Sequence, residues 1–294
     1  MKKASGQAEY VHTARKLIRG SDKRKFYPFN RVNYQERLNH DRWQFPETLV
    51  SLYYHPIYGE LSDETKWNLA LQEGLQFFSF NIHGEQALVA EMEPRLYRDK
   101  RAGEDPVSSE YLQRFIHEEN AHTFMLAGYC NRYGKGVNRN RNLAVQTPKL
   151  SPEGQDALFY GRILTLEIYL GHVNKIAFDY PNLDKTAQDI HRFHHSDEAR
   201  HKAWDKAMLQ ENVNRLRAAG AYEELSKIRV LLDSYIAYIC TASLDPRPYR
   251  AVGLKDLVRL RSEVSVLPER RELETQWTAQ VANFFGKIKL CANY

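Results

Sequence analysis

Four carboxylates set into otherwise apolar helical stretches constrain this chain more than any other feature. Glu119-Asn120-Ala121-His122 and Glu198-Ala199-Arg200-His201 each place a carboxylate and an imidazole three residues apart. On a helix that spacing is one face, about one turn along, where the pair can grip one metal ion. Glu85 and Glu167 stand singly in two further apolar stretches. Phe78, Ile82, Leu88, Val89 and Met92 share the Glu85 face, and Leu112, Phe115, Ile116 and Leu126 share that of Glu119. Tyr160, Ile163, Leu164, Leu170 and Gly171 accompany Glu167. A bare buried charge is very costly, and carboxylates brought to one point repel each other. A fold that joins these faces therefore needs cations between them, and two divalent metals supply that compensation.

Neighbouring residues extend the cluster. His194 precedes Glu198 by four residues and His201 by seven, so all three share a face. It is read as a third imidazole ligand in preference to a core histidine bonded to a carbonyl. Glu118 and Asp197 each precede a motif glutamate. They are placed to accept the second ring N–H of histidine ligands on neighbouring helices; the alternative is a solvated helix charge. His83, His117, His172, His191 and His195 are read as surface or pocket-lining residues, with His191 a candidate supporting partner. Glu9-Tyr10-Val11-His12 has the same spacing in a basic stretch without an apolar face, and is taken as a chance match.

The helices that carry these groups are marked by their ends. One segment starts at Ser62-Asp63-Glu64 and is expected to stop near Met92, before Pro94. A second runs from about Asp105 to Tyr133, with Gly134 as a stop. A third opens on Ser151-Pro152, an N-cap followed by proline at the first helical position, and ends at Asp179. A fourth runs from about Asp184 to Leu216. The short third-to-fourth connection makes those two antiparallel neighbours, and the longer second-to-third connection suits a crossover. Residues 1–58 read as an irregular, basic, aromatic strap, residues 59–216 as the metal-binding core and residues 217–294 as a cap of two or three helices, all in a single domain.

Composition narrows the class. Only 15 Gly and 11 Pro in 294 residues argue against a many-turn β protein. Three scattered cysteines exclude a disulfide framework or a Cys-rich zinc module and fit a reducing cytoplasm. The most apolar window, residues 158–178, carries Arg162, Glu167, His172 and Lys175, so no membrane span is expected. A net charge of +5, with no aromatic-basic groove motif, does not point to nucleic acid. The basic loop holding Arg132, Lys135, Arg139 and Arg141 is read as a solvated connection, or else as steering for an acidic partner.

A glutamate from each of two helices and Glu-x-x-His from each of the other two is the pattern of ferritin-like di-iron proteins. In detail the order Gly84-Glu85-Gln86, Glu118-Glu119-Asn120-Ala121-His122-Thr123-Phe124-Met125, Glu167, then His194-His195-Ser196-Asp197-Glu198-Ala199-Arg200-His201 resembles the p-aminobenzoate N-oxygenase family of non-haem di-iron oxygenases. The resemblance spans roughly residues 42–210 and is strongest at these motifs. It implies an all-α, ferritin-like four-helix bundle core with extra N- and C-terminal helices. It implies Glu85, Glu119, His122, Glu167, His194, Glu198 and His201 as ligands of two irons. The activity implied uses O₂ and an external electron donor or peroxide. A peroxo-bridged di-iron species then oxidises an amine through hydroxylamine toward nitroso or nitro products in a biosynthetic pathway. The implied partners are a small-molecule amine, free or carrier-tethered, and an electron-transfer protein; a homodimer is compatible. Phe77, Phe78, Phe80 and Tyr160 are the expected pocket lining. Arg162 is the one intrahelical cation placed to anchor an acidic substrate, since no Lys or Arg lies between Lys66 and Arg95. The same ligands leave open C–H hydroxylation, desaturation or oxidative cleavage, and more distantly iron storage or a radical-generating subunit.

Overall fold

A computed structural model describes residues 9–23, 31–98, 106–139 and 149–290. Every regular element among them is a helix, with a single isolated β-bridge between Trp43 and Leu183. The core is four long helices: α3 (Asp63–Arg98), α4 (Val107–Tyr133), α5 (Pro152–Asp179) and α6 (Lys185–Ala218). They pack as two hairpins, α3 with α4 and α5 with α6. The expected end signals act locally. Ser151 Oγ accepts from the Gly154 amide at 3.0 Å with Pro152 behind it, and Asp184 Oδ1 accepts from the Thr186 amide at 2.9 Å.

Helix α5 is apolar on nearly every face and is buried on nearly every face. Helix α7 (Tyr222–Ala242) and α10 (Pro268–Lys287) pack on it, and α8 (Arg247–Ala251) packs on α3. Between α8 and α10 lies α9 (Leu257–Ser265). The cap thus has more pieces than the expected two or three helices, because its prolines open short helices as well as closing long ones. Gly84 lets α3 approach α5 closely: a Cβ there would lie 2.7 Å from Leu166 Cδ2. The contact sits beside Glu85 and Glu167, so it sets how near those two carboxylates come.

Two expectations are corrected. The first segment is not simply irregular: α1 (Glu9–Asp22) buries Val11, Ala14 and Leu17 against α4 and α6. Glu9 and His12 still point outward and are exposed. The short α2 (Pro56–Glu60) closes that segment, with His55 Nδ1 accepting from the Ile57 amide. Helix α3 also runs past Pro94 to Arg98. Proline removes one backbone bond, but the next residue holds the turn in place. Buried Arg95 donates to Asp156 Oδ1 at 3.0 Å, donates to the Glu91 carbonyl at 2.6 Å and lies 3.7 Å over the Phe159 ring. Asp105 and Arg141, singled out in the sequence, lie outside the described residues, as do residues 24–30 of the basic, aromatic strap.

Candidate metal centre

Each core helix delivers side chains to one buried point. Helix α3 brings Glu85, α4 brings Glu119 and His122, α5 brings Glu167, and α6 brings His194, Glu198 and His201. All seven are almost fully shielded from solvent. Their ligand atoms form two overlapping groups, each within 4.8 Å: Glu85, His122, His194 and Glu198, and Glu119, His122, Glu198 and His201. Glu198 reaches both ends of the cluster. Its Oε1 is 2.9 Å from His194 Nε2 and 3.5 Å from His122 Nδ1, while its Oε2 is 3.6 Å from His201 Nδ1. Glu167 falls outside both groups but has an oxygen 3.8 Å from His201 Nδ1.

The donor set fits metal ions. Glu85 Oε1, Glu119 Oε1, both Glu167 oxygens, Glu198 Oε2, His194 Nε2 and His201 Nδ1 are buried and make no directed hydrogen bond. Some lie close together, such as His201 Nδ1 and Glu119 Oε1 at 2.7 Å, yet off the line a hydrogen bond requires. Lone pairs converging without donors between them are what cations satisfy. Carboxylate and imidazole donors without cysteine suit iron or manganese.

The charges are set by mutual contact. Burial, then the charges of Glu198 and Glu85, push the Glu119 carboxyl up to about 7 against the pull of His201. Burial, then Asp205 and Glu198, hold the Glu167 carboxyl well above its ordinary value. Glu198 goes the other way: burial opposes its charge, but His194 and His201 outweigh burial and hold it well below the usual range. His194, penalised by burial, is nonetheless pushed up to about 10 by Glu198 and Glu85.

The outer faces of the imidazoles are tied down. His201 Nε2 meets Glu118 Oε2 at 2.8 Å, and His122 Nε2 meets Asp197 Oδ2 at 3.4 Å. Each carboxylate therefore serves a histidine from the opposite helix. Such partners fix the ring so that the inner nitrogen faces the metal. Arg200 Nη2 ties the two together, 2.8 Å from Glu118 and 3.1 Å from Asp197. The Glu118→Gln protein is expected to bind metal about 10- to 100-fold more weakly, the usual cost of losing such a partner. Equilibrium dialysis at fixed pH measures this, and unchanged affinity would show the Glu118 contact to be idle.

Sequence reasoning passed over Arg200, Asn174 and Asp205. Asp205, buried on α6, follows Glu198 by seven residues and so continues its face. It lies against Glu167, and burial first, then the Glu198 and Glu119 charges, hold its carboxyl well above the usual range. Asn174 follows Glu167 by the same seven residues and spans His194 and His191. His191 is joined to His194 through that amide.

The expected pocket residues divide. Phe77 and Phe80 line a pocket with Phe45, Tyr169 and Val173, closed by the cap residues Asp245 and Arg270. Phe78 packs instead against Tyr129 and His191, with ring centroids 5.0 Å from each. Tyr160 is buried beside Phe159. Arg162 gives its guanidinium to Glu91, with contacts of 2.9 and 2.8 Å. It therefore does not stand as an uncommitted anchor for an acidic substrate. In the basic loop, Arg132 donates to the Gln35 carbonyl, which joins it to the strap.

Comparison with known proteins agrees with this geometry. A variant of R2-like ligand-binding oxidase with an aerobically reconstituted Mn/Fe cofactor superposes with a TM-score of 0.53 at 16% identity, over 98% of this chain and 95% of that one. A second variant of that oxidase, with a non-activated Mn/Mn cofactor, gives 0.51 at 15% identity, over 97% and 94%. At such identities the likeness establishes a shared ferritin-like helical fold. No curated protein matches the sequence. Among the described residues no helix is long and apolar enough to cross a membrane. The sequence profile of the family described as p-aminobenzoate N-oxygenase AurF matches residues 7–289. With that match over nearly its whole length, the chain belongs to the AurF family of oxygenases built on a two-metal centre.

Proposed function

We propose that this chain is an O₂-dependent N-oxygenase that holds two irons and oxidises a small-molecule amine through hydroxylamine toward nitroso or nitro products. The observation that carries the reading is the sharing of Glu198 and His122 between two buried ligand groups, in a chain whose family is described by N-oxygenation. Bound irons supply the O₂ binding and the redox electrons, which no side chain can. Glu85 and His194 would hold one metal and Glu119, Glu167 and His201 the other, with His122 and Glu198 within reach of both groups. Glu118 and Asp197 keep His201 and His122 turned inward. Phe115, stacked 3.9 Å from the His201 ring, keeps water off that side.

In this reading the amine enters by the pocket walled by Phe77, Phe80 and Tyr169, whose lining includes none of the seven ligand residues. Its aromatic walls suit a planar or apolar body. Its polar groups include Glu73, which accepts from the Ser51 amide at 2.9 Å, and Arg270. With O₂ an external donor supplies the two electrons; hydrogen peroxide, which is O₂ already reduced by two electrons, would replace both. A carrier-tethered amine is an equivalent source of the same nitrogen.

The test is anaerobic loading with Fe(II), then mixing with O₂ in a stopped-flow spectrometer, with a panel of amines competing for the oxidised centre. The expected result is two irons per chain and faster decay with the true amine, whose product carries label from ¹⁸O₂ on nitrogen. Products labelled only on carbon would replace this reading with C–H hydroxylation. Oxidation of iron without any substrate product would replace it with storage or radical generation.

A further inference from the structure

The entry pocket holds one charge that the chain leaves unbalanced. Beside its aromatic walls stand three charged residues, Glu73, Asp245 and Arg270. Asp245 is paired with Arg247 at 2.7 Å, and Arg270 with Glu274 at 2.8 Å. Among the described residues Glu73 takes hydrogen bonds from Ser51 alone. The Ser51 amide reaches Oε2 at 2.9 Å and its hydroxyl reaches Oε1 at 2.5 Å. Because that hydroxyl donates to Glu73, Tyr249 OH, 2.6 Å away, donates to Ser51 Oγ. An ionised carboxylate offers about four lone-pair positions, so Glu73 keeps acceptor capacity for a group inside the pocket. Burial pushes its carboxyl up to about 7, against the Ser51 bonds and the more distant Arg270. The other titratable groups around it, Tyr58, Tyr169 and Tyr249, are all held above their ordinary value and stay neutral.

Charge outside the pocket points the same way. A surface groove shares Leu49, Ser51, Arg270 and Leu273 with the pocket, and so lies against its outer wall. Glu269 and Glu272, both exposed, line that groove, while the cation that lines it, Arg270, is the one paired with Glu274. A second groove shares Gln76, Phe80, Ala242 and Asp245 with the pocket and carries Arg139, Arg247 and Arg261. An anion drawn to the basic groove would next meet Glu73. A cation drawn to the acidic groove meets attractive charge at each stage.

We propose that this pocket selects a protonated alkyl amine, with Glu73 binding its ammonium group and Glu269 and Glu272 drawing it in. The proposal rests on the N-oxygenase reading and deepens it by naming the substrate class. An alkyl ammonium brings both the missing positive charge and N–H donors for the remaining lone pairs. An arylamine, uncharged at neutral pH, brings donors alone, and an acidic substrate brings repulsion. Glu73 precedes Glu85 on α3 by twelve residues, roughly 18 Å along the axis at about 1.5 Å per residue. It is therefore a specificity residue at the entry, apart from the metal ligands. Oxidation at nitrogen needs the lone pair, so the ammonium gives up one proton on its way inward. Glu73 is placed to take it: one N–H bond breaks, one O–H bond forms and no electron moves. Burial favours the neutral pair over the charged one.

Calorimetric titration of the iron-loaded protein without O₂ is the test, with butylamine, butanol and aniline as probes. At about pH 8 butylamine is charged and is expected to bind about 10- to 100-fold more tightly than the other two, the usual contribution of a hydrogen bond to a charged group. Glu73→Gln keeps an acceptor for Ser51. It is expected to abolish that margin and to leave butanol and aniline within a few-fold. The wild-type margin is expected to shrink as pH falls below about 7, where Glu73 takes up a proton; this readout needs no variant. Replacing Glu269 and Glu272 together with glutamine is expected to weaken butylamine binding at low salt and not at high salt. Unchanged butylamine affinity in Glu73→Gln, or a wild-type margin indifferent to pH, would overturn the proposal. No loss at low salt in the double variant would overturn the part given to Glu269 and Glu272. Binding needs no oxidation, so the two readings fail separately. Butylamine held through Glu73, with oxygen placed on no amine, would remove the N-oxygenase reading and keep the recognition site. Oxidation of arylamines alone, with binding indifferent to Glu73→Gln, would remove the site and keep the N-oxygenase.

Discussion

Replacing Glu198 with alanine is expected to strip both metals from the centre and to lower turnover by more than about 100-fold, beyond what loss of a supporting partner costs. Glu198 is a member of both ligand groups, with one oxygen near His194 and His122 and the other near His201. Removing it leaves Glu85, His122 and His194 in one group and Glu119, His122 and His201 in the other, with Glu167 beside His201 and no carboxylate common to both. Alanine is the best helix former, so α6 should remain intact and helical content by circular dichroism should hold. Metal per chain, measured by mass spectrometry after Fe(II) loading, is the direct readout. Glu85→Ala makes an informative companion, since that residue belongs to one group only and its loss should release one metal before the other. Glu9→Ala is the control, because Glu9 has the Glu-x-x-His spacing but is exposed. A Glu198→Ala protein with two irons and full turnover would remove the assignment.

The reasons some features were legible in the sequence and others were not are physical. The core helices announce themselves through local chemistry: Ser151 and Asp184 cap their helices with their own side chains. The ligand candidates were visible because a carboxylate on an apolar face contradicts its surroundings. Asn174 and Asp205 carry the same contradiction, each seven residues beyond a proposed ligand, and that period would have found them. What local pattern could not give was pairing across the chain. Arg162 looks uncommitted until Glu91, 71 positions away, meets it. Pro94 looks like a stop until Arg95 is anchored on Asp156. Helix α1 has too few apolar residues to stand out, and its burial depends on α4 and α6, which lie far along the chain.

Removing the metals should leave a protein whose stability falls as pH rises from about 5 toward 9, and metal should reverse that trend. Glu119, Glu167 and Asp205 all sit above their ordinary values in the folded chain. The folded state therefore holds protons that the unfolded state releases near pH 4. Stability is present below that point and is lost as pH rises through the folded values, about 7 for Glu119. His194, raised to about 10, and His201, also raised, add to the same slope. Their contribution is complete below roughly pH 6.5 and is lost as pH climbs through the folded values. Glu118, Asp197 and Glu198 are held low, so they contribute the opposite slope on the acid side where they become protonated, and His191, held down to about 3, contributes it up to roughly pH 6.5. A metal bound by Glu119, Glu167, His194 and His201 displaces their protons, so its affinity should rise with pH. Free metal at 100 times its dissociation constant adds about 2.7 kcal/mol per site. For two sites in a chain of this length that corresponds to a rise in melting temperature of about 10 °C or more. Calorimetric titration in two buffers of different ionisation enthalpy counts the protons released, and thermal melts from pH 5 to 9 give both slopes. A metal-free protein that gained stability across that range, or metal binding without proton release, would contradict the charge arrangement drawn from these residues.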